Sequence, residues 1–299
     1  VIGVVAAIGF FWQEHRMGEE AILPLAMFRN KTVGVSSIAS VLIGVAMFGG
    51  LAALPLYLQI VKGATPTEAG LLLLPMTLGI MIGSILSGQI ISRTGRYRVF
   101  PIVGSALLTI SLFIFHYVAY DTPLWQTMIV MTMFGVGLGF NFQPLTLAVQ
   151  NAVPPQQIGV ATSTATFTRQ IGGTLGTAVF LSILFSTASE KITTALAAAV
   201  PTQEFQAALA DPANAAVAEQ FAAAQSGGGA ATSVLSDSSF LTGLDERLAK
   251  PFLIGFSEAM DLVFLTGSAI MVLGFLVMLM LPSVELRKSS GYSERVIAE

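Results

Sequence analysis

The stretch EAGLLLLPMTLGIMIGSILSGQIISR, Glu68 to Arg93, decides the fold. Between its two terminal charges stand 24 residues with no charged side chain. A hydrocarbon core about 30 Å thick needs roughly 20 apolar residues in a helix. Inside that core every backbone N–H and C=O must be satisfied within the segment, so the stretch reads as a membrane-crossing α-helix over 69–92. Working outward, five more segments pass the same test: 32–61, 99–118, 124–149, 158–186 and 256–281. Lys31 and Lys62 bracket the first of these, and Arg98 and Asp121 the second.

Composition agrees with a polytopic all-α membrane protein. Of 299 residues, 54% are hydrophobic and only 10% charged, against about 25% charged in a soluble domain. The net charge of -3 and the lack of a basic block exclude a nucleic-acid binder. With no cysteine, disulfides and thiolate metal sites are excluded, and His15 and His116 are too far apart in sequence to suggest a metal cluster. No nucleophile, base and orienting group occur together, and no phosphate-cradling motif appears, so neither an enzyme nor a cofactor is expected.

Residues 1–12, VIGVVAAIGFFW, lack a basic n-region and a cleavage site and read as the end of a truncated span. Residues 13–31 read as an interfacial linker. Counting crossings puts Arg16, Arg29, Lys31, Arg93, Arg96, Arg98, Arg287, Lys288 and Arg295 on one side, while the short loops opposite hold only Lys62. Lys/Arg excess marks the cytoplasmic face. The linker, the SRTGRYR loop and the tail 282–299 are therefore expected inside. The Ala-rich insertion 187–255 is expected outside, as one or two surface helices joined by the flexible QSGGGAATS stretch.

In GQIISRTGRYR, Gly88 to Arg98, Gly88 offers a close helix approach and Gly95 a positive φ. Arg93 and Arg96 offer donors for helix C-terminal carbonyls; plain positive-inside anchoring is the other reading. Gly88, Ile90, Arg93, Gly95 and Arg96 resemble the G-x-L-x-D-R-x-G-R motif of the major facilitator superfamily, with Ser92 at the acidic position and Tyr97 at the next basic one. The resemblance narrows to the 14-span drug:proton antiporter branch, of the EmrB/QacA kind. It is carried by LPLAMFRN (Leu23 to Asn30), LPLYLQIVKGATPTEAGLLLLP (Leu54 to Pro75) and GVGLGFNFQPLTLAVQNAVPPQQIGVATSTATFTRQIGGTLGTA from Gly135. What it matches is the C-terminal half: the end of a linker span, then six spans.

That resemblance implies a six-helix bundle in a bacterial cytoplasmic membrane, exporting drug-like amphipathic or cationic molecules against protons by alternating access. A missing N-terminal half would be its partner. It also implies that the spans from Thr32, Ala69, Leu124 and Ile158 line a cavity, and that the loop residues Gly88, Arg93, Gly95 and Arg96 form a cytoplasmic gate. The alternative is a non-transporting or lipid-handling module with a vestigial cavity.

Arg169 is the only charge between Asp121 and Glu190. It lies about 16 Å along its helix at 1.5 Å per residue, where a charge costs about 3 to more than 10 kcal/mol. Steps of three and four from it reach Thr162, Ala165, Thr166, Gly172, Gly173, Gly176 and Thr177, a small-residue face suited to close helix approach. Two roles fit: a cavity cation for anionic groups, or a brace donating to backbone carbonyls. Gly135, Gly137 and Gly139 precede Phe140, Asn141, Phe142, Gln143 and Pro144, a closely packed stretch where Pro144 removes a helix hydrogen bond. Asn141 and Gln143 point to different faces, so at most one looks squarely into a cavity. Met47 and Tyr57 suit a soft aromatic wall for apolar cations, lipid-facing positions being the plainer reading. Glu258 and Asp261 are expected to cap the N-terminus of the last span.

Overall fold

The computed structural model describes Gly9, Trp12, Gln13, Arg16, Leu25 to Asn214 and Leu244 to Pro282. The expected span end 1–12, the linker before residue 25, the insertion over 215–243 and the tail beyond residue 282 lie wholly or mostly outside the described residues. Among the described residues all regular structure is helical.

Each helix has a local cause. A 3-10 turn, Leu25–Arg29, leads to α1, Lys31–Ile60. The Asn30 side chain caps α1 by accepting from the Thr32 N–H at 2.9 Å. Helix α2, Pro66–Leu72, opens with Pro66 and a reciprocal capping box between Thr65 and Glu68. After a break at Leu73, α3 runs Leu74–Thr94 and stops at Gly95, whose φ of 69° is a left-handed C-cap. Helix α4 is Val99–Phe115 and α5 is Leu124–Asn151. A 3-10 turn, Pro155–Gln157, precedes α6, Ile158–Ala199. Helix α7 is Gln203–Leu209, and α8 is Glu246–Leu279, capped by Asp245. Among the described residues, five spans are long and apolar enough to cross a membrane: α1, α2 with α3, α5, α6 and α8. The sixth apolar helix, α4, is shorter at 17 residues.

Two pairings dominate, α1 on α6 and α3 on α5; α4 and α8 pack together behind them. In the core the Phe115 ring stacks on Phe264 at 5.0 Å and meets Phe134 edge-on at 6.5 Å. Helix α3 has α5 as its one extensive neighbour, and glycines make that contact. A Cβ on Gly79 would stand 2.5 Å from the Thr132 carbonyl oxygen, and one on Gly83 2.7 Å from that of Val136. Gly135 and Gly139 meet the α3 backbone at Met76 and Ile80 in return.

The basic turn corrects two expectations. Gly88 has nothing within 4 Å of where a Cβ would sit, so the close approach falls earlier in the helix, at Gly79 and Gly83. Arg93 and Arg96 are exposed. The carbonyls ending α8 are reached instead by Arg98, whose Nη2 donates to Leu279 at 2.9 Å, and by the Tyr97 hydroxyl, which donates to Pro282 at 3.1 Å. The left-handed Gly95 reverses the chain, so the residues after it are the ones carried back against α8. At the opposite end, Lys62 Nζ donates to the Tyr120 and Thr122 carbonyls, each at 2.7 Å.

The expected insertion limits, 187 and 255, are not helix ends. Helix α6 continues through ITTALAAA to Ala199 because that stretch is rich in strong helix formers; Pro201 follows the helix end. Helix α8 starts ten residues before 256, at Glu246. At 1.5 Å per residue α6 is about 63 Å long and α8 about 51 Å. Both overshoot a hydrocarbon core of about 30 Å. A two-helix pier with α7 beside it therefore stands at the Lys62 end.

Candidate transport face

Helix α6 buries Gly172, Gly173 and Gly176 against α1, where a Cβ would meet the backbone of Val41 and Val45 and the ring of Phe48. Two stripes remain uncovered. Phe167, Ile171, Leu175 and Val179 form an apolar one. Beside it, Ser163, Thr166, Gln170 and Thr174 form a polar one, at the i, i+3, i+4 spacing of a single face. The hydroxyls of that stripe are satisfied within the helix: Ser163 donates to Gly159 at 3.0 Å, Thr166 to Thr162 at 3.0 Å and Thr174 to Gln170 at 3.1 Å. Such back-bonding leaves them free of any need for an outside partner.

Arg169 sits where this stripe meets the α1 contact. Its guanidinium carbon stands 4.9 Å from the centroid of the Phe142 ring on α5. Among the described residues it makes no hydrogen bond and no ion pair, so neither the carbonyl brace nor a carboxylate partner is found. The ring quadrupole is its partner, worth about 0.5–2 kcal/mol. The sequence places Phe142 in the closely packed stretch before Pro144 without assigning it to the pathway; it looks like any lipid-facing aromatic until the helices are placed.

The other expected pathway residues separate. Gln143 is exposed and, like Arg169 and Gln170, has no hydrogen-bond partner among the described residues. Two turns on, along the same face of α5, Gln150 Nε2 donates to Thr162 of α6 at 2.9 Å. Met47 is partly buried, on the side of α1 between Gly44, which touches α6, and Gly50, which touches Phe134 of α5. Corrections fall on three residues. Phe140 lies on the opposite side of α5 from Phe142, edge-on to Phe100 of α4 at 5.5 Å. Asn141 is fully buried, donates to Gly137 at 2.7 Å and packs on Gly104 of α4. Tyr57 is 1% exposed and its hydroxyl donates to Ala119 at 3.2 Å. Each is turned inward because the glycine contacts fix the rotation of α1 and α5.

The arrangement is thus an open, half-polar wall: Met47 from α1, Gln143 and Phe142 from α5, Arg169 and Gln170 from α6. Among the described residues, an all-helical bundle of segments long and apolar enough to cross a membrane, with an uncovered polar stripe on α6, is the architecture of a multi-pass membrane protein. The sequence profile of the Major Facilitator Superfamily matches residues 1–177. The chain is 34% identical over 277 residues to a tetracycline resistance determinant of Streptomyces rimosus, covering 92% of this chain and 78% of that protein. It is 33% identical over 288 residues to an uncharacterized MFS-type transporter of Mycobacterium tuberculosis, covering 96% of this chain but 37% of that protein. A multidrug transporter protein of Bacillus subtilis is 26% identical over 166 residues, or 56% of this chain and 30% of its own length. The chain belongs to the Major Facilitator Superfamily.

Proposed function

We propose that this chain is the C-terminal six-helix half of a proton-coupled multidrug exporter of the 14-span drug:proton antiporter branch. It would act in a bacterial cytoplasmic membrane, with the basic turn and the tail on the cytoplasmic side. The observation that carries the reading is the uncovered polar stripe of α6. Among the described residues the Gln170 amide and the Arg169 guanidinium beside it make no hydrogen bond, a costly surface to leave against lipid and a useful one against a second bundle. Met47 and Phe142 add soft, polarizable surface for apolar cations. Arg169 supports anionic groups, and alternating access would rock the two bundles around this wall. The names of the relatives support efflux of tetracycline-like or other drugs as the substrate class. The chain spans 78% of one relative and little more than a third of another, which supports a partner bundle supplied by the rest of a longer protein.

The test is efflux of a fluorescent lipophilic cation from cells expressing this chain with and without a preceding transporter half. Protonophore-sensitive efflux is expected only with both halves. Efflux by the chain alone, or efflux indifferent to protonophore, would sink the reading.

A further inference from the structure

The expectation that Asp261 caps a helix N-terminus fails on geometry. Helix α8 begins at Glu246, so Asp261 is its sixteenth residue and has continuous helix on both sides. Its Oδ1 is buried and, among the described residues, accepts no hydrogen bond. A carboxylate oxygen removed from water without a donor is costly as an anion and cheap as a neutral acid. Some function must keep an acid there, or solvent must reach it.

Its surroundings are those of a proton site. His116, at the end of α4, lies against the same turn: Nδ1 is 3.2 Å from the Asp261 backbone carbonyl oxygen. That carbonyl only accepts, so Nδ1 carries the hydrogen and Nε2 is left as the acceptor nitrogen of the ring. From α6, Lys191 Nζ pairs with Glu258 Oε2 at 3.3 Å, one turn above Asp261 on α8, both half-exposed. On α1, Tyr57 is the titratable side chain toward this end of the bundle, and its hydroxyl donates to the Ala119 carbonyl at 3.2 Å. Above the Lys191–Glu258 pair lies a cavity of about 360 Å³ between α6, α7 and α8. Arg247, Lys250, Ile254 and Glu258 line its α8 wall. Those four residues and Asp261 follow i, i+3, i+4 steps, so one face of α8 leads from the open cavity down to the partly buried Asp261.

We propose that Asp261, with His116 beside it, is a proton-binding site entered from the cavity between α6, α7 and α8 past the Lys191–Glu258 pair. Water in the cavity delivers a proton to the carboxylate, giving the neutral acid. Release returns it to water by the same face, with no electron transfer and no other reactant. The use of that proton in export rests on the exporter reading; the site itself does not.

The experiment is infrared difference spectroscopy of the intact protein in lipid nanodiscs, stepped from alkaline to acidic buffer. A protonated-carboxyl C=O band is expected to appear, to vanish in Asp261→Asn and to return, displaced in frequency, in Asp261→Glu. His116→Gln removes a neighbouring potential cation and moves the band's midpoint to higher pH; Glu258→Gln removes a neighbouring anion and moves it lower. A spectrum unchanged by Asp261→Asn overturns the site, whatever transport does. A band lost in Asp261→Asn, with no substrate-driven proton movement by the unsubstituted protein, upholds the site and overturns the exporter reading.

Discussion

Two glycines of α3, Gly79 and Gly88, separate cleanly by what surrounds them, and alanine at the two positions gives opposite signs. In α3, a Cβ on Gly79 would stop 2.5 Å from the Thr132 carbonyl oxygen, about 0.9 Å inside ordinary contact. Backbone cannot rotate away as a side chain does, so α3 must back off from α5. A gap of 0.5–1 Å forfeits about a quarter to a half of the dispersion energy of each contact along the seam. Overpacking of this kind costs about 1–3 kcal/mol, and the helix-propensity gain of about 1 kcal/mol for Gly→Ala offsets only part. Because α3 has no second extensive neighbour, nothing else holds it in place. Gly88→Ala keeps the propensity gain with open space around it, so it raises stability by up to about 1 kcal/mol. The assay is thermal melting of the detergent-solubilised chain, followed by the monodisperse size-exclusion peak. Gly79→Ala melts below the parent and Gly88→Ala at or above it. The double variant Gly79→Ala with Gly135→Ala loses less than the sum, since a seam already opened charges the second Cβ little. Equal midpoints for Gly79→Ala and Gly88→Ala would refute the seam.

Phe142→Leu removes the ring under Arg169 and costs about 0.5–2 kcal/mol, while Phe142→Tyr keeps it; melting of both, with Gln143→Ala as an unaffected control, checks this. Lys62→Met loses two charge-assisted bonds that join the α1–α2 connection to the α4–α5 connection. A loss of about 1.5 kcal/mol is expected, the low end for such bonds because the lysine is partly exposed; Lys62→Arg recovers part of it. Hydrogen bonds from Arg247 hold the Asp245 carboxyl well below the usual carboxylate range. Its folded pKa is depressed, so its contribution is full above the unfolded value of about 3.9 and fades as pH falls beneath it. Asp245→Asn keeps the helix cap and flattens that acid limb in a pH series of melting curves.

Much of the bundle was legible because uncharged runs between charges admit few foldings in a bilayer. Lys31 to Lys62 and Glu68 to Arg93 located α1, α2 and α3 to within a few residues, and Gly95 announced its own turn. The small-residue face around Arg169 likewise marked the α1–α6 seam. What one dimension hides is rotation and stagger. Gly88 and Gly79 read alike, and only the crossing point of α3 on α5 tells them apart. Asn141 and Gln143 were known to diverge, yet which of them faces the open wall depends on Gly137 seating against α4. Arg93 and Arg96 were the expected donors to helix-end carbonyls, yet the left-handed Gly95 sends Arg98 toward α8 instead. Asp261 was misread because the alanine-dense stretch was taken as separate from the spans it prolongs.

The overshoot of α6 and α8 turns the bundle into a pointer. A helix some 63 Å long that stays packed on α8 beyond the other spans, where a Cβ on Gly255 would meet the Ile192 backbone, makes the pair a stiff lever that converts a small tilt within the bilayer into a large sweep of its tip. Spin labels near Thr194 and Lys250 would therefore report any tilt of the membrane-embedded half at high gain, and an antibody fragment clasping the tip would act as a brake on it.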